Sequence, residues 1–360
     1  LFPYTTLFRS DQVRKLFYYQ AAAESPLRRE VYYASSDGRK KGKLSTNGGT
    51  NKAEFSRGFN YFVNYHSGIT EPLSVIVYDW KGKAVRVLED NEALNKRLSE
   101  FTIPVKEFFT FRCKDGTTLN GWMIKPPGFR KEVKYPVVIS QYSGPGSQKV
   151  TDEWDVSWHE YLAQEGFLVV CIDPRGTGGR GEDFKKSTYL RLGNFESDDL
   201  VETARYLSGL SYVDNRNIAI RGWSYGGFLT LMAMAKGGDL FKAGIAVAPV
   251  TSWQYYDNIY TERYMRTPDE NMDGYDQNSP VRLAGKIKGR LLLIHGSADD
   301  NVHLQNTMEL SEALVQEGVQ FDMAIYTNRD HGIKGGNTTL HLYRKMTGFL
   351  IDQMKGNPAH

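Results

Sequence analysis

The run "NIAIRGWSYGGFLTLMAMA", residues 217–235, constrains the fold of this chain more than any other stretch. A short apolar strand pattern leads straight into Gly-Trp-Ser-Tyr-Gly-Gly, and a helix-forming apolar segment follows at once. A strand that turns directly into a helix through G-x-S-x-G lifts its serine on strained backbone, so the residues two positions either side must be small. Gly222, Gly226 and Gly227 meet that demand. The helix beginning there aims free N–H groups and the positive end of its dipole at the serine, which favours an alkoxide or oxyanion. Ser224 is therefore the candidate nucleophile, preferred to the plainer reading of a structural turn.

The surroundings suit that turn. From about Lys106 the chain alternates strands and helices. Strands are read at "EFFTFRC", "LNGWMIKP", "YPVVISQY", "FLVVCIDP", "NIAIRGW", "AGIAVAPV", "RLLLIHG" and "FDMAIYT". Helices are read at "HEYLAQEG", "SDDLVETARYLSGL", "GGFLTLMAMAKG", "NTMELSEALVQEGV" and the final "TLHLYRKMTGFLIDQMKG". This is the α/β class: a mixed, mostly parallel sheet flanked by helices. With no helix between them, the opening strands are expected to be antiparallel, which is the layout of an α/β-hydrolase over residues 98–358.

A serine nucleophile needs a base, and the base needs an orienting carboxylate. In this layout the order is Ser, then Asp or Glu, then His, each after a strand end. "RLLLIHGSADDNVH" ends one strand in an acidic loop, and "FDMAIYTNRDHGI" ends the next in Asp-His-Gly. His331 is the expected base; spacing leaves Asp299 and Asp300 both open as its orienter. His295, at the strand end, is expected to serve backbone packing, and His303 to begin a helix. His66 and His159 fall outside the required order. The backbone N–H of Tyr225 is one expected oxyanion donor. In "SQYSGPGSQ", after the third strand of the sheet, Tyr142 either offers its phenol O–H as the second donor or only packs.

Residues 11–97 read differently, as short aromatic-rich strands: "KLFYYQAA", "REVYYASS", "NYFVNYH" and "LSVIVYD". "VYYASSDGRKKGKLS" and "VIVYDWKGKAVRVLE" align strand, glycine turn and strand, with Gly38 and Gly82 at equivalent places. A repeat of about 45 residues with four strands per unit is that of propeller blades, so this segment is expected to be a partial β-propeller of two blades. Residues 1–10, "LFPYTTLFRS", resemble translated adapter sequence, and the true N-terminus with any signal peptide is expected upstream.

A net charge of +3 from 45 basic and 42 acidic residues points to no nucleic-acid surface, and "RKKGK" is read as a solvated hairpin tip. Cys113 and Cys171 form neither a disulfide framework nor a metal-ligand spacing; Cys171, inside "FLVVCID", is expected in the core.

Taken together, "GWSYGG", "AVAPVTSWQYYDNIYTERYM", "LLIHGSADDNVH" and "YTNRDHGI" closely resemble the dipeptidyl peptidase IV family of the prolyl oligopeptidase clan, in its bacterial type, over about residues 101–353. The preceding strands resemble the last blades of that family's propeller. The resemblance implies a serine peptidase that cuts after a penultimate proline, or less well alanine, to release N-terminal Xaa-Pro dipeptides. It implies Ser224 as nucleophile, Asp299 as orienting acid and His331 as base, with Tyr142 joining Tyr225 in the oxyanion hole. It further implies a proline pocket of Trp253, Tyr256 and Tyr260, walled by Tyr225, Val250 and Val302, with Asn301 binding the carbonyl before the proline. A flat, apolar ring without an N–H is selected by shape in a stiff aromatic slot.

No cofactor and no metal is implied. The expected partners are peptides, and by resemblance a second copy in a homodimer; the expected location is periplasmic, cell-envelope or secreted. The family's paired glutamates and arginine, which grip a peptide's free ammonium end, have no match in residues 11–97. Prolyl tripeptidyl peptidase is the nearest alternative, a carboxylesterase-like hydrolase the next. A catalytically silent binding module is disfavoured by the intact set of Ser224, Asp299 and His331.

Overall fold

The computed structural model describes residues 5–356, with backbone alone for residues 5–8. It divides into two compact units: residues 1–106 with 150–157 and 178–184, and residues 107–149, 158–177 and 185 onward.

In the first unit, β1 (Thr5–Asp11), β2 (Leu16–Ala21), β3 (Glu30–Ser35) and β4 (Lys41–Lys43) form one four-stranded sheet in sequence order. A second such sheet holds β5 (Thr50–Phe55), β6 (Tyr61–Gly68), β7 (Glu71–Asp79) and β8 (Ala84–Glu89). Each neighbouring pair is antiparallel. Gly38 lies between β3 and β4, and Gly82 between β7 and β8, at φ +73° and +86°. Both hairpins thus turn through backbone that a side chain would strain. Tyr18, Val31, Leu44, Ala53, Phe62 and Tyr78 make one apolar core, in which Tyr18 stacks on Phe55 at 4.3 Å. Successive four-stranded meanders of this kind are propeller blades, and the chain carries a partial β-propeller. β5 lacks aromatic enrichment; alternating burial is its signature instead. Of residues 1–10, expected from the sequence to be adapter-derived, residues 1–4 lie outside the described residues, while Thr5–Asp11 pairs with β2.

The second unit is built on eight strands: β9 (Lys106–Arg112), β10 (Thr118–Ile124), β11 (Tyr135–Gln141), β12 (Leu168–Asp173), β13 (Val213–Trp223), β14 (Ala243–Val247), β15 (Arg290–Gly296) and β16 (Phe321–Tyr326). Their order in the sheet is β16-β15-β14-β13-β11-β12-β10-β9. β10 runs antiparallel to β12, and the pairings from β12 through β11 to β16 are parallel. This is the α/β-hydrolase arrangement, and every strand of it was expected. Covered strands read as unbroken apolar runs, and β12 is buried at all six positions, Cys171 included.

The helices are α1 (Glu92–Leu98), α2 (Trp158–Gln164), α3 (Glu182–Lys186), α4 (Asn194–Ser208), α5 (Tyr225–Gly237), α6 (Asn258–Met265), α7 (Pro268–Gln277), α8 (Gln305–Gln316) and α9 (Thr338–Met354). α1, α3, α6 and α7 escape the periodicity reading because each is short and presents little or no apolar stripe. α7 nonetheless has a start signal in its sequence: Thr267 and Glu270 cap it reciprocally, with Pro268 in the first turn. α5 is the opposite case, buried from Tyr225 through Ala235. It packs against α4, β13 and β14 and carries its first residue to the sheet's C-terminal edge. The loops after β11, β13, β14, β15 and β16 all open at that edge, where ligands meet parallel α/β sheets.

Candidate active site

β13 passes into α5 through a single residue, Ser224, at φ +59° and ψ −120°. A non-glycine residue is held there only because its surroundings over-determine it. A Cβ on Gly222 would stand 2.1 Å from the Gly226 carbonyl oxygen, and one on Gly226 2.5 Å from that of Gln141. On Gly227 it would stand 2.9 Å from the Val247 oxygen. The three glycines therefore exist for backbone contact around the serine. Ser224 N–H donates to Val247 O at 2.8 Å, and Ser224 O accepts from Phe228 N–H at 3.0 Å, closing the turn from both sides. Tyr225 begins α5, so its N–H has no helical acceptor and remains available beside the serine.

His331 follows β16 and Asp299 follows β15. His331 Nδ1 donates to Asp299 Oδ2 at 2.7 Å. Asp299 Oδ1 accepts from the N–H groups of Asn301 (3.0 Å) and Val302 (2.9 Å). Burial alone would raise the Asp299 carboxyl, but hydrogen bonds from His295 and His331, the charge of His331 and the backbone donor Asn301 outweigh it. The group is held well below the usual carboxylate range. Asp300, the rival by spacing, is exposed. Ser224 Oγ and the His331 imidazole are not hydrogen-bonded to each other in this structure, an opening common before substrate draws the pair together.

Tyr142 stands on the loop after β11, its ring centroid 6.4 Å from that of Tyr225. Burial raises its phenol, which keeps the O–H protonated as a donor. Tyr225 turns its own ring into the apolar wall, 5.5 Å from Trp253 and 5.4 Å from Phe228. Trp253 follows β14 and is fully buried; it stacks on Tyr260 at 6.0 Å and meets Tyr256 edge-on at 5.9 Å. Tyr256 and Tyr260 meet edge-on at 5.3 Å, so three rings fix one another. Asp257 caps α6 by accepting from Tyr260 N–H at 2.9 Å, which sets where that ring starts. Val250 and Val302, expected to wall the slot, are both buried. Tyr256 O–H donates to Asn301 Oδ1 at 2.7 Å, leaving the Asn301 NH₂ as the free half of the amide.

Three contributors escape the sequence reading. Glu196 on α4 is fully buried and accepts from Tyr225 O–H at 2.7 Å and from Gly193 N–H at 3.0 Å. Its desolvation pushes the carboxyl up to about 7, against the pull of those donors. A buried tyrosine requires a partner for its hydroxyl, and that rule was the available signal. Trp223 donates its indole N–H to the His331 carbonyl at 3.0 Å. His295, expected only to pack against backbone, does bond the Val302 carbonyl at 2.8 Å but also lies 3.2 Å from Asp299 Oδ2. By contrast, His159 bonds Ser140 and His66 the Gly48 carbonyl. Among the described residues no cluster of His, Cys, Asp or Glu has the form of a metal site.

This arrangement can carry acyl transfer: a strained serine at a helix N-terminus, an imidazole oriented by a carboxylate, two O–H or N–H donors and an aromatic slot alongside. Comparison with known proteins follows the same lines. The model of the prolyl oligopeptidase family matches residues 154–357, and that of the dipeptidyl peptidase IV N-terminal region matches residues 2–73. The chain is 43% identical over 302 residues to dipeptidyl peptidase 4 of Sus scrofa, covering 83% of this chain and 39% of that protein. It is 42% identical over 300 residues to the Bos taurus protein of the same name, covering 82% and 39%. The crystal structure of Porphyromonas gingivalis dipeptidyl peptidase 4 superposes with a TM-score of 0.95 at 49% identity, over 97% of this chain and 49% of that one. The chain thus spans half or less of the length of these relatives.

Proposed function

This chain belongs to the prolyl oligopeptidase family, and we propose that it is a serine peptidase that removes N-terminal Xaa-Pro, and more slowly Xaa-Ala, dipeptides from peptides. The observation that carries the reading is the Asp299–His331 bond at 2.7 Å joined to a slot of three mutually locked rings, Trp253, Tyr256 and Tyr260.

In this reading Ser224 attacks the carbonyl of the penultimate proline while His331 takes the hydroxyl proton, its imidazolium stabilised by Asp299. The tetrahedral oxyanion is received by Tyr225 N–H and Tyr142 O–H. His331 then returns the proton to the leaving amine, and water, activated by the same imidazole, hydrolyses the acyl-enzyme. The proline ring occupies the aromatic slot, and the Asn301 NH₂, turned outward by Tyr256, binds the carbonyl preceding it. The dipeptide length rests on the relatives' names and not on a residue of this chain. Pairing of two copies and a location outside the cytoplasm belong to the same proposal. Among the described residues no helix is long and apolar enough to cross a membrane.

The test compares hydrolysis of a Gly-Pro anilide, a Gly-Leu anilide and an aryl acetate. A kcat/KM for the Gly-Pro substrate at least 100-fold above that for Gly-Leu is expected. Aryl acetate turnover without a proline preference would favour the carboxylesterase-like alternative.

A further inference from the structure

Gln141 is the last residue of β11 and Gly226 the second of α5. The parallel ladder between β11 and β13 ends at the pair Gln141 and Gly222. Beyond it one segment enters the loop of Tyr142 and the other the serine turn, and strand pairing no longer holds them together. A side chain does so instead: Gln141 Nε2–H donates to the Gly226 carbonyl at 2.8 Å, with both groups buried. The sense of this bond is fixed, because a carbonyl oxygen only accepts and must face the NH₂ end of the amide. Gln141 Oε1 is thereby buried with no hydrogen-bond partner among the described residues. An orphaned buried acceptor costs stability that an apolar side chain of the same length would not. For packing alone the amide is a poor choice.

Its neighbours show what it holds. Gln141 precedes Tyr142 and Gly226 follows Tyr225, so the bond joins the chain neighbours of the two proposed oxyanion donors. The same segments also touch directly, since a Cβ on Gly226 would stand 3.1 Å from Tyr142 Cα. The loop then turns back through Ser143 at φ +63°, and Gly144 lies against the phenol ring. A Cβ on Gly144 would stand 2.8 Å from Tyr142 Cε1. The Tyr142 backbone is thus anchored to α5, and its ring to its own loop.

We propose that Gln141 is a positioning residue for the oxyanion hole. Its amide ties the Tyr142 loop to the first turn of α5 and so sets the separation of Tyr142 O–H and Tyr225 N–H. This role rests on the reading of those two groups as the oxyanion donors. Such donors act only when held within about 0.5 Å of the productive geometry. A loosened tie therefore weakens the transition state and leaves ground-state binding nearly untouched.

The experiment uses the whole chain as wild type, Gln141→Met, Tyr142→Phe and the double variant. Gln141→Met keeps the length of the side chain and loses its N–H. It is expected to lower kcat on a Gly-Pro anilide roughly tenfold, with KM changed less than about twofold. Binding of a Gly-prolyl boronic acid, whose tetrahedral adduct sets an oxygen between the same donors, weakens by a similar factor. A denaturation midpoint no lower than that of wild type shows that the loss is not one of folding. In the Tyr142→Phe background the same substitution changes kcat less than about threefold, because the donor it positions is gone. A folded Gln141→Met variant with unchanged kcat, or a loss equally large in both backgrounds, overturns this role. Failure of the peptidase reading shows separately, as aryl acetate turnover by the wild-type chain without a proline preference. The same four-way comparison on that ester then still decides the role of Gln141.

Discussion

The indole N–H of Trp223 donates to the carbonyl of His331 at 3.0 Å, so the residue preceding the serine is tied to the backbone of the imidazole that would activate it. The chain separates them by more than a hundred residues, yet the bond makes the strand-to-helix turn and the loop after β16 one mechanical unit. Removing it by Trp223→Phe keeps an aromatic ring at the position and frees the loop. A neutral hydrogen bond is worth about 1 kcal/mol, so kcat on a Gly-Pro anilide is expected to fall several-fold with a small change in KM. Steady-state kinetics check this.

Tyr142 is the proposed second oxyanion donor, and its phenol is kept protonated by burial. Tyr142→Phe removes the O–H and leaves the ring. The loss is expected to cost about 3 kcal/mol of transition-state stabilisation, on the order of 100-fold in kcat, with KM nearly constant. A variant weakened mainly in KM would mark Tyr142 as a packing residue.

Glu196 supplies a pH dependence of stability with a definite sign. Its folded carboxyl titrates at about 7, against 4.5 as the ordinary value, because burial disfavours its charged form. The folded state thus binds this proton more tightly than the unfolded chain. The resulting stability is fully present below about 4.5 and is lost as pH rises through about 7, amounting to roughly 3 kcal/mol. Asp299 acts in the opposite direction. Its lowered carboxyl contributes stability above its ordinary value, lost as pH falls through the folded one. Urea unfolding of wild type and Glu196→Gln between pH 5 and 8 should show the wild-type decline and a flatter variant.

Gly222 carries a different kind of prediction, since its missing Cβ is occupied space: the Gly226 carbonyl oxygen lies 2.1 Å from that position. The obstructing atoms are backbone, which cannot swing aside as a side chain would. Gly222→Ala is expected to lower the melting temperature by several degrees and to abolish labelling by a serine-directed phosphonate. A variant as stable and reactive as wild type would contradict a turn closed by backbone-to-backbone contact.

Much of this architecture could be read from residue order because the physics behind it is local. Apolar runs between helices marked the eight strands of the large sheet, and three glycines around Ser224 announced a turn in which backbone meets backbone. Gly38 and Gly82 betrayed the two smaller sheets by recurring at the same hairpin. The choice of Asp299 over Asp300 was not local: alternation cannot say which of two adjacent carboxylates turns inward to meet an imidazole 32 residues on. Glu196 and His295 were missed for the same reason. Each is buried by a partner from another element, Tyr225 in one case and Thr307 in the other, and nothing in its own neighbourhood records that partner. α6 and α7 were hidden by polarity, though the Thr267–Glu270 cap was there to be read.

The proposed peptidase activity stands or falls with Ser224 as an acyl-transfer nucleophile served by a proline-shaped slot. The decisive measurement is intact mass after incubation with a Gly-Pro diphenyl phosphonate, alongside its Gly-Leu counterpart. One adduct is expected, mapped to Ser224, forming at least 100-fold faster with the proline reagent and absent from Ser224→Ala. Equal rates with the two reagents, an adduct on another residue, or persistent labelling of Ser224→Ala would refute it.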